Sequence, residues 1–230
     1  LKDSLVTALL PMKGHSERVP NKNLRDFCGR PLYHRAMESL LGSRYVREVA
    51  INTDSELIAA DAARHFGRVR IVDRPEAIRG DFVSMNTIIA HDLSVLTGEH
   101  FLQTHSTNPL LTTATVDRAI ETYFESLDRH DSLFSVTRLQ TRLYWKDGSP
   151  VNHNPSELLR TQDLPPVFEE NSNLYVFSRA SFSGGGGKRI GQRPLMFEMD
   201  RLEAVDIDEE ADFRVAEALF WLTSGTKIEK

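Results

Sequence analysis

The sequence predicts an α/β domain built on a parallel sheet with helices on its faces. Short apolar runs of strand length, Leu5 to Leu10, Val46 to Ile51 and Val69 to Val72, alternate with segments that are apolar at helical spacing. Gly42-Ser43 and Gly67 close the intervening helices, so the punctuation agrees with the periodicity. With 230 residues, 40% of them hydrophobic, the chain can bury the core of one large domain.

Leu5 to Leu10 has the β-branched content and length of a buried strand. It breaks at Pro11 into a loop punctuated by Gly14 and Pro20 and carrying Lys13, Arg18, Lys22 and Arg25. Gly29-Arg30-Pro31 then opens a helix with Leu32, Ala36, Met37, Leu40 and Leu41 on one face. A second strand, Val46 to Ile51, ends at Asn52-Thr53-Asp54. Ser55 caps a helix whose apolar face is Leu57, Ile58, Ala62 and Phe66. Val69 to Val72 is the third strand. Arg74-Pro75 begins an irregular stretch to Asp81, and Ser84 caps a helix through about Leu96.

A strand at Phe101-Leu102 ends in His105-Ser106-Thr107-Asn108-Pro109, and Thr113 to Leu127 is a helix with Val116, Ala119, Ile120 and Tyr123 inward. Leu133 to Val136 is a further strand. Residues 141–170 show no helical pattern and read as extended segments and loops, after which Asn173 to Phe177 returns to the core. Gly184 to Gly187, followed by Lys188-Arg189, lacks the spacing of a Walker loop and reads as a mobile connector. Leu195 to Met199 is a strand, and Ala204 to Asp208 leads into a helix from Glu209 to about Leu222.

The net charge of −5 argues against general affinity for nucleic acid or anionic membrane, so basic residues act locally. The single cysteine, Cys28, excludes an internal disulfide and a thiolate metal cluster, and it reads as a small buried residue. No apolar run reaches the ~18 residues of a membrane span. Leu1-Lys2-Asp3 lacks the regions of a signal peptide, which predicts a cytoplasmic protein.

A strand that empties into a glycine-containing basic loop is a common phosphate cradle; the alternative is an ordinary basic surface loop. Lys13 and Lys22 can reach one polyphosphate across that loop, or lie in solvent. Asp206 and Asp208, two apart in a run read as extended, face one side of it. Two converging carboxylates suit Mg²⁺, which completes its shell with phosphate and water; equally, both acids favour the helix start at Glu209. His105 lies at a strand end, where open parallel sheets hold ligands. Arg160 to Pro165, with Asn171 and Tyr175, gathers hydrogen-bonding groups suited to a polyhydroxylated ligand.

Several blocks together resemble the acylneuraminate cytidylyltransferases. Leu10-Pro11-Met12-Lys13-Gly14-His15-Ser16-Glu17-Arg18-Val19-Pro20-Asn21-Lys22-Asn23 is similar to that family's PARGGSKRIPRKN. Phe27 to Leu32 resembles FxGKPL, Asn52-Thr53-Asp54 resembles STD, and Thr107 to Leu110 resembles TSPL. Arg160 to Pro165, Asn171 to Tyr175 (NGAIY) and Asp206-Ile207-Asp208 (DID) follow in family order. The resemblance implies a three-layer αβα nucleotidyltransferase with a Rossmann-like mixed, mostly parallel sheet. It also implies a single domain over residues 1–230 and a homodimer joined through an excursion within about residues 140–200. The implied reaction joins CTP to the anomeric hydroxyl of a 2-keto sugar acid, releasing pyrophosphate and forming a CMP-sugar, with Mg²⁺ or Mn²⁺ as cofactor.

By the same resemblance Lys13, Gly14, Ser16, Lys22 and Asn23 hold the nucleotide, and Lys13 and Lys22 stabilise the leaving pyrophosphate. Arg74 and the Asp81 to Thr87 segment, Ser84 included, look like the cytosine-reading region. His105, Gln162, Asn171 and Tyr175 fall on the sugar side, and Asp206 and Asp208 match the metal-binding aspartates. The departures are Lys13 for arginine, His15 for glycine, Glu17 for a basic residue, Leu111 for arginine and Ser172-Asn173 for Gly-Ala. They leave the acid open between a nonulosonate, a 3-deoxy-octulosonate and a phosphonate. They also leave open a nucleotide-binding relative that has lost catalysis.

Overall fold

The structure, a computed structural model, describes residues 5–16 and 18–223. Glu17 and the opening Leu1-Lys2-Asp3 lie outside the described residues. The chain opens with β1 (Val6–Leu9), every residue of which is buried. After the basic loop, a 3₁₀ turn (Lys22–Leu24) leads to a short hairpin, β2 (Asp26–Phe27) and β3 (Arg30–Pro31). Then come α1 (Leu32–Gly42), β4 (Val46–Thr53), α2 (Glu56–His65), β5 (Val69–Asp73), α3 (Met85–Val95) and β6 (His100–Gln103). The second half contributes α4 (Thr113–Glu125), β7 (Ser132–Leu139), β8 (Val167–Ser178), α5 (Arg179–Gly184), β9 (Pro194–Glu198) and α6 (Glu210–Thr223).

Seven strands form one sheet in the order β5-β4-β1-β6-β8-β7-β9. β8 runs antiparallel to both its neighbours; every other pairing is parallel. Alternation along β1 feeds two cores. Ala8 faces a cluster under α1, α2 and α4 that includes Met37, Ile58 and Val116, while Leu9 faces Ile89, Leu93 and Phe182 of α3 and α5. A third cluster joins the hairpin to α6 through Phe27, Phe213 and Ile207. The result is helix, sheet, helix. From β1 the chain first moves outward to β4 and β5, then returns to the other side of β1 at β6. That reversal opens a crevice beyond the carboxyl ends of β1 and β6, where α/β sheets bind ligands.

Several expectations change. Leu57 is 73% exposed; Ile58 and Ala62 alone carry the inward stripe of α2. β8 begins at Val167, earlier than the Asn173 read as its start, because Val167 to Glu170 continue the ladder along β7 where their side chains are mostly exposed. An exposed ladder leaves no apolar signature to read. Residues 204–208 form no strand; backbone bonding there includes Ile207 N–H to the Thr107 carbonyl at 2.9 Å. Cys28 is half-buried, and burial pushes its thiol up to about 11, far from a reactive thiolate. Residues 167–198 supply strands to the main sheet, so the segment that leaves it is 140–166.

Candidate active site

The loop after β1 is held from three sides. Met12 still bridges to Thr53 of β4. Gly14 then donates its N–H to Asp54 Oδ1 at 2.7 Å, and a Cβ built on Gly14 would sit 2.8 Å from Ser55 Cβ. Only glycine lets the loop pass that close to Ser55, whose side chain caps α2. Asn23 fastens the far end, donating to the Lys13 carbonyl at 3.0 Å and accepting from Ser106 Oγ at 2.7 Å.

A cavity of about 440 Å³ lies over this loop, its wall including Lys13, His15, Ser16, Arg18, Lys22 and Asn23. Arg74 and His105 close its other sides. Lys13 Nζ reaches Asp81 Oδ1 at 2.5 Å across the mouth, a contact with both side chains about half in solvent. Lys22 Nζ donates to the Ile207 carbonyl at 2.6 Å. Burial lowers the Lys22 pKa, opposed by the charges of Asp206 and Asp208. The Asp206 carboxyl is pushed up, first by burial, against a hydrogen bond from Thr107, with Asp208 adding like charge. Asp208 accepts from Arg18 Nη2 at 2.7 Å. The structure therefore gathers Lys22, Asp206 and Asp208, 184 residues and more apart in sequence, although the run holding the aspartates is not a strand.

Beyond the aspartates, a second cavity of about 360 Å³ is lined by Asp206, Thr137, Asn171, Ser172 and Arg201. Its shape comes from a bulge. Ser172 takes φ 58 within β8, opposite a register shift at Ser135 of β7. Ser135 Oγ donates to Asn171 Oδ1 at 2.5 Å, and Asn171 Nδ2 donates to Thr137 at 3.1 Å. Asp206 thus belongs to the wall of one cavity and acts electrostatically on Lys22 in the wall of the other.

Other residues singled out in the sequence are placed differently. Ser84 caps α3, accepting from Thr87 N–H at 3.2 Å, and lies outside the cavity wall. Gln162 is exposed on a 3₁₀ turn (Thr161–Asp163), away from both cavity walls. Tyr175 is fully buried, and its hydroxyl is hydrogen-bonded to Glu170 and Ser172.

Sequence reasoning missed two polar networks. In the first, Arg74, 1% exposed, donates from Nε to Asn52 Oδ1 at 2.7 Å and from Nη2 to the Asn52 and Met12 carbonyls. Asn52 in turn donates to Asp92 Oδ1 at 2.5 Å, and burial pushes the Asp92 carboxyl up to about 6. In the second, Arg189 lies with its guanidinium carbon 3.6 Å from the centre of the Tyr175 ring and donates from Nη1 to Gln103 Oε1 at 2.5 Å. Gln103 Nε2 donates to the Thr104 carbonyl and meets His105 Nε2 at 3.2 Å. Burial, with Arg189 and Lys22 nearby, holds His105 down at about 4, so its imidazole is neutral at pH 7. The glycine run before Arg189 was the available signal.

Residues 7–218 match the family model described as cytidylyltransferase. A post-translational flagellin modification protein B of Campylobacter coli is 25% identical over 219 residues, covering 90% of this chain and 91% of that protein. A pseudaminic acid cytidylyltransferase of Campylobacter jejuni is also 25% identical, with 92% and 94% covered. An N-acylneuraminate cytidylyltransferase of Escherichia coli is 25% identical over 97% of this chain, which spans 54% of that longer protein. The fold is that of a CMP:2-keto-3-deoxy-manno-octonic acid synthetase solved with CTP, at a TM-score of 0.70 and 14% identity over 96% of this chain and all of that one. The chain belongs to the cytidylyltransferase family.

Proposed function

We propose that this cytidylyltransferase transfers CMP from CTP to the anomeric hydroxyl of a 2-keto sugar acid of the nonulosonate type, releasing pyrophosphate. The observation that carries this reading is the placement of Asp206 and Lys22. They interact across the boundary between a basic cavity sized for a nucleotide and a second, polar one beside it. Relatives named for pseudaminic acid and N-acylneuraminate support the acceptor class.

The acceptor hydroxyl attacks the α-phosphorus in line and gives its proton to solvent; the new O–P bond forms, and the bond to the bridging oxygen breaks with its electrons leaving on pyrophosphate. Lys13 and Lys22 stabilise the charge that gathers on that leaving group. For Lys13 to do so, Asp81 must release it. Asn23, fixed at both ends, holds the loop in register, so the chain contributes positioning and electrostatics rather than a covalent intermediate. Asp206 and Asp208 fit a divalent cation: two hard oxygen donors sit close enough to repel each other, and burial raises the cost of leaving Asp206 charged. Mg²⁺ or Mn²⁺ held there would supply Lewis-acid polarisation of the phosphate.

CTP as co-substrate fits a cytoplasmic protein. The segment 140–166 exposes Tyr144, Trp145 and Leu158, the last 94% in solvent, which supports a homodimer through this excursion. Light scattering of the wild type against Trp145→Asp tests that contact; equal masses would remove it. Turnover is tested with CTP, Mg²⁺ and a panel of acids, reading pyrophosphate and the CMP-sugar. Release with a phosphonate alone would sink the acceptor class, and CTP binding with no turnover on any acid would sink the enzyme reading.

A further inference from the structure

We infer that Arg189, delivered by the glycine run, is the residue that receives the carboxylate of the acceptor acid and so sets the enzyme's preference for an acid. The inference rests on the function proposed above. Its geometry begins with α5, which ends at Gly184. Gly185 caps it, and Gly186 and Gly187 follow at φ 71 and 74, in the left-handed region that side chains resist. These turns bring the chain back onto the sheet, where the Arg189 N–H donates to Asn86 Oδ1 at 3.3 Å. The side chain then lies flat on Tyr175.

Arg189 lies between the two cavities: Gln103, which it holds, meets His105 in the wall of the first. Tyr175 pairs directly with Gln103 across β6 and β8, so Arg189 sits over that seam. The nucleotide loop leaves β1, on the far side of β6. One and a half strand spacings of roughly 5 Å each therefore separate the seam from β1. The hydroxyl of Tyr175, beneath Arg189, is hydrogen-bonded to Glu170 and Ser172, which line the second cavity.

The chemistry fits an anion. A guanidinium stacked on an aromatic face keeps its plane and its donors in a fixed direction, which suits bidentate capture of a carboxylate. Among the described residues Nη1 donates to Gln103 Oε1, and the Tyr175 hydroxyl also interacts with the guanidinium. Among the described residues no carboxylate forms an ion pair with Arg189. Glu170 attracts it from nearby, yet accepts a hydrogen bond from the Tyr175 hydroxyl. A half-buried arginine with no paired carboxylate among the described residues lacks the partner that such a cation normally has.

The test compares the acid that the wild type turns over with its carboxylate methyl ester, in wild type, Arg189→Ala and Arg189→Gln. Losing a charge-assisted pair should cut kcat/KM for the acid roughly 10- to 100-fold. The acid-to-ester ratio should collapse to about threefold or less in both variants, with CTP affinity by calorimetry unchanged. A purely structural arginine would lower acid and ester together and leave their ratio alone. The wild-type ratio in either variant that still binds CTP overturns the inference. So does loss of CTP binding in both, since Arg189 would then belong to the nucleotide side. If the wild type turns over no acid, the function reading fails and takes the inference with it; wild-type turnover with an unaltered ratio fails the inference alone.

Discussion

Arg74 and Arg189 occupy matching places on the two sides of the crevice, one beside the end of β4 and the other over the end of β6, and they are used in opposite ways. Arg74 commits Nε and Nη2 to Asn52 and to the Asn52 and Met12 carbonyls. Arg189 commits one nitrogen to Gln103 and lays its plane on a ring. The first arginine ties strand to loop; the second is held by its face and by Gln103, with no carboxylate paired to it among the described residues. Burial alone does not separate a structural cation from a ligand-binding one. The donors left over after the protein has been satisfied do. If Arg189 receives the acceptor's carboxylate, the nucleotide side is preformed by internal bonds and the acceptor side is finished by the substrate.

The strongest test lies where the two sides meet. Asp208→Asn is expected to lower kcat by at least ~10²-fold, as loss of a directed charge at a reacting phosphate does. It would also release Arg18 from its 2.7 Å pairing. Near-normal turnover would remove the aspartate pair from the chemistry and with it the boundary between the two sides.

The contrast between the arginines predicts a contrast in stability. Arg74→Ala leaves Asn52 and two carbonyls without their donor in the core and should cost roughly 3 kcal/mol. Arg189→Ala should lower the melting temperature far less. Comparable losses in thermal unfolding would show that both arginines are structural.

Asp92 sharpens the preformed side. Its carboxyl, pushed up to about 6 chiefly by burial, holds more protons folded than unfolded between about pH 4 and 6. Stability from this group therefore falls as pH rises through that window. A shift from 3.8 to about 6 corresponds to at most about 3 kcal/mol at pH 7. His105 acts in the opposite sense: held down at about 4, it adds stability as pH rises from 4 towards 6.5. The two slopes offset each other in the wild type. Asp92→Asn should remove the falling one, so that its advantage over wild type in denaturant unfolding grows from pH 4.5 to 7.5. An advantage independent of pH would refute the buried charge.

The same contrast explains what could be read from the sequence. The strand and helix alternation, the caps at Ser55 and Ser84 and the basic loop with Lys13 and Lys22 were legible from local pattern, whereas Asn23 stood out only through the family resemblance. Asp206 and Asp208 were legible as a pair, although the strand geometry assumed for them was wrong. Asn52 appeared within a recognised block, but its partner Asp92 sits inside a helix where nothing local marks a buried carboxylate. Gln103 and Arg189 are 86 residues apart. Only the pairing of β6 with β8 brings them together, and the glycines that steer Arg189 read as looseness rather than direction.

The smallest expected effect concerns Ser172, on the acceptor side. It holds φ 58, a conformation that costs an L-residue roughly 1–2 kcal/mol. Its hydroxyl lies 3.3 Å from that of Tyr175, a weak return for that strain. Ser172→Gly relieves the strain but adds about 0.5–1 kcal/mol of unfolded-chain entropy. The net gain in stability should be about 0.5 kcal/mol, read as a small rise in urea midpoint. If stability alone governed the position, activity would be unchanged by the substitution. An acceptor side completed by its substrate predicts otherwise: KM for the acid rises several-fold as the second cavity loses a hydroxyl, while KM for CTP stays put. Equal changes in both would mean that the bulge serves the sheet and not the ligand.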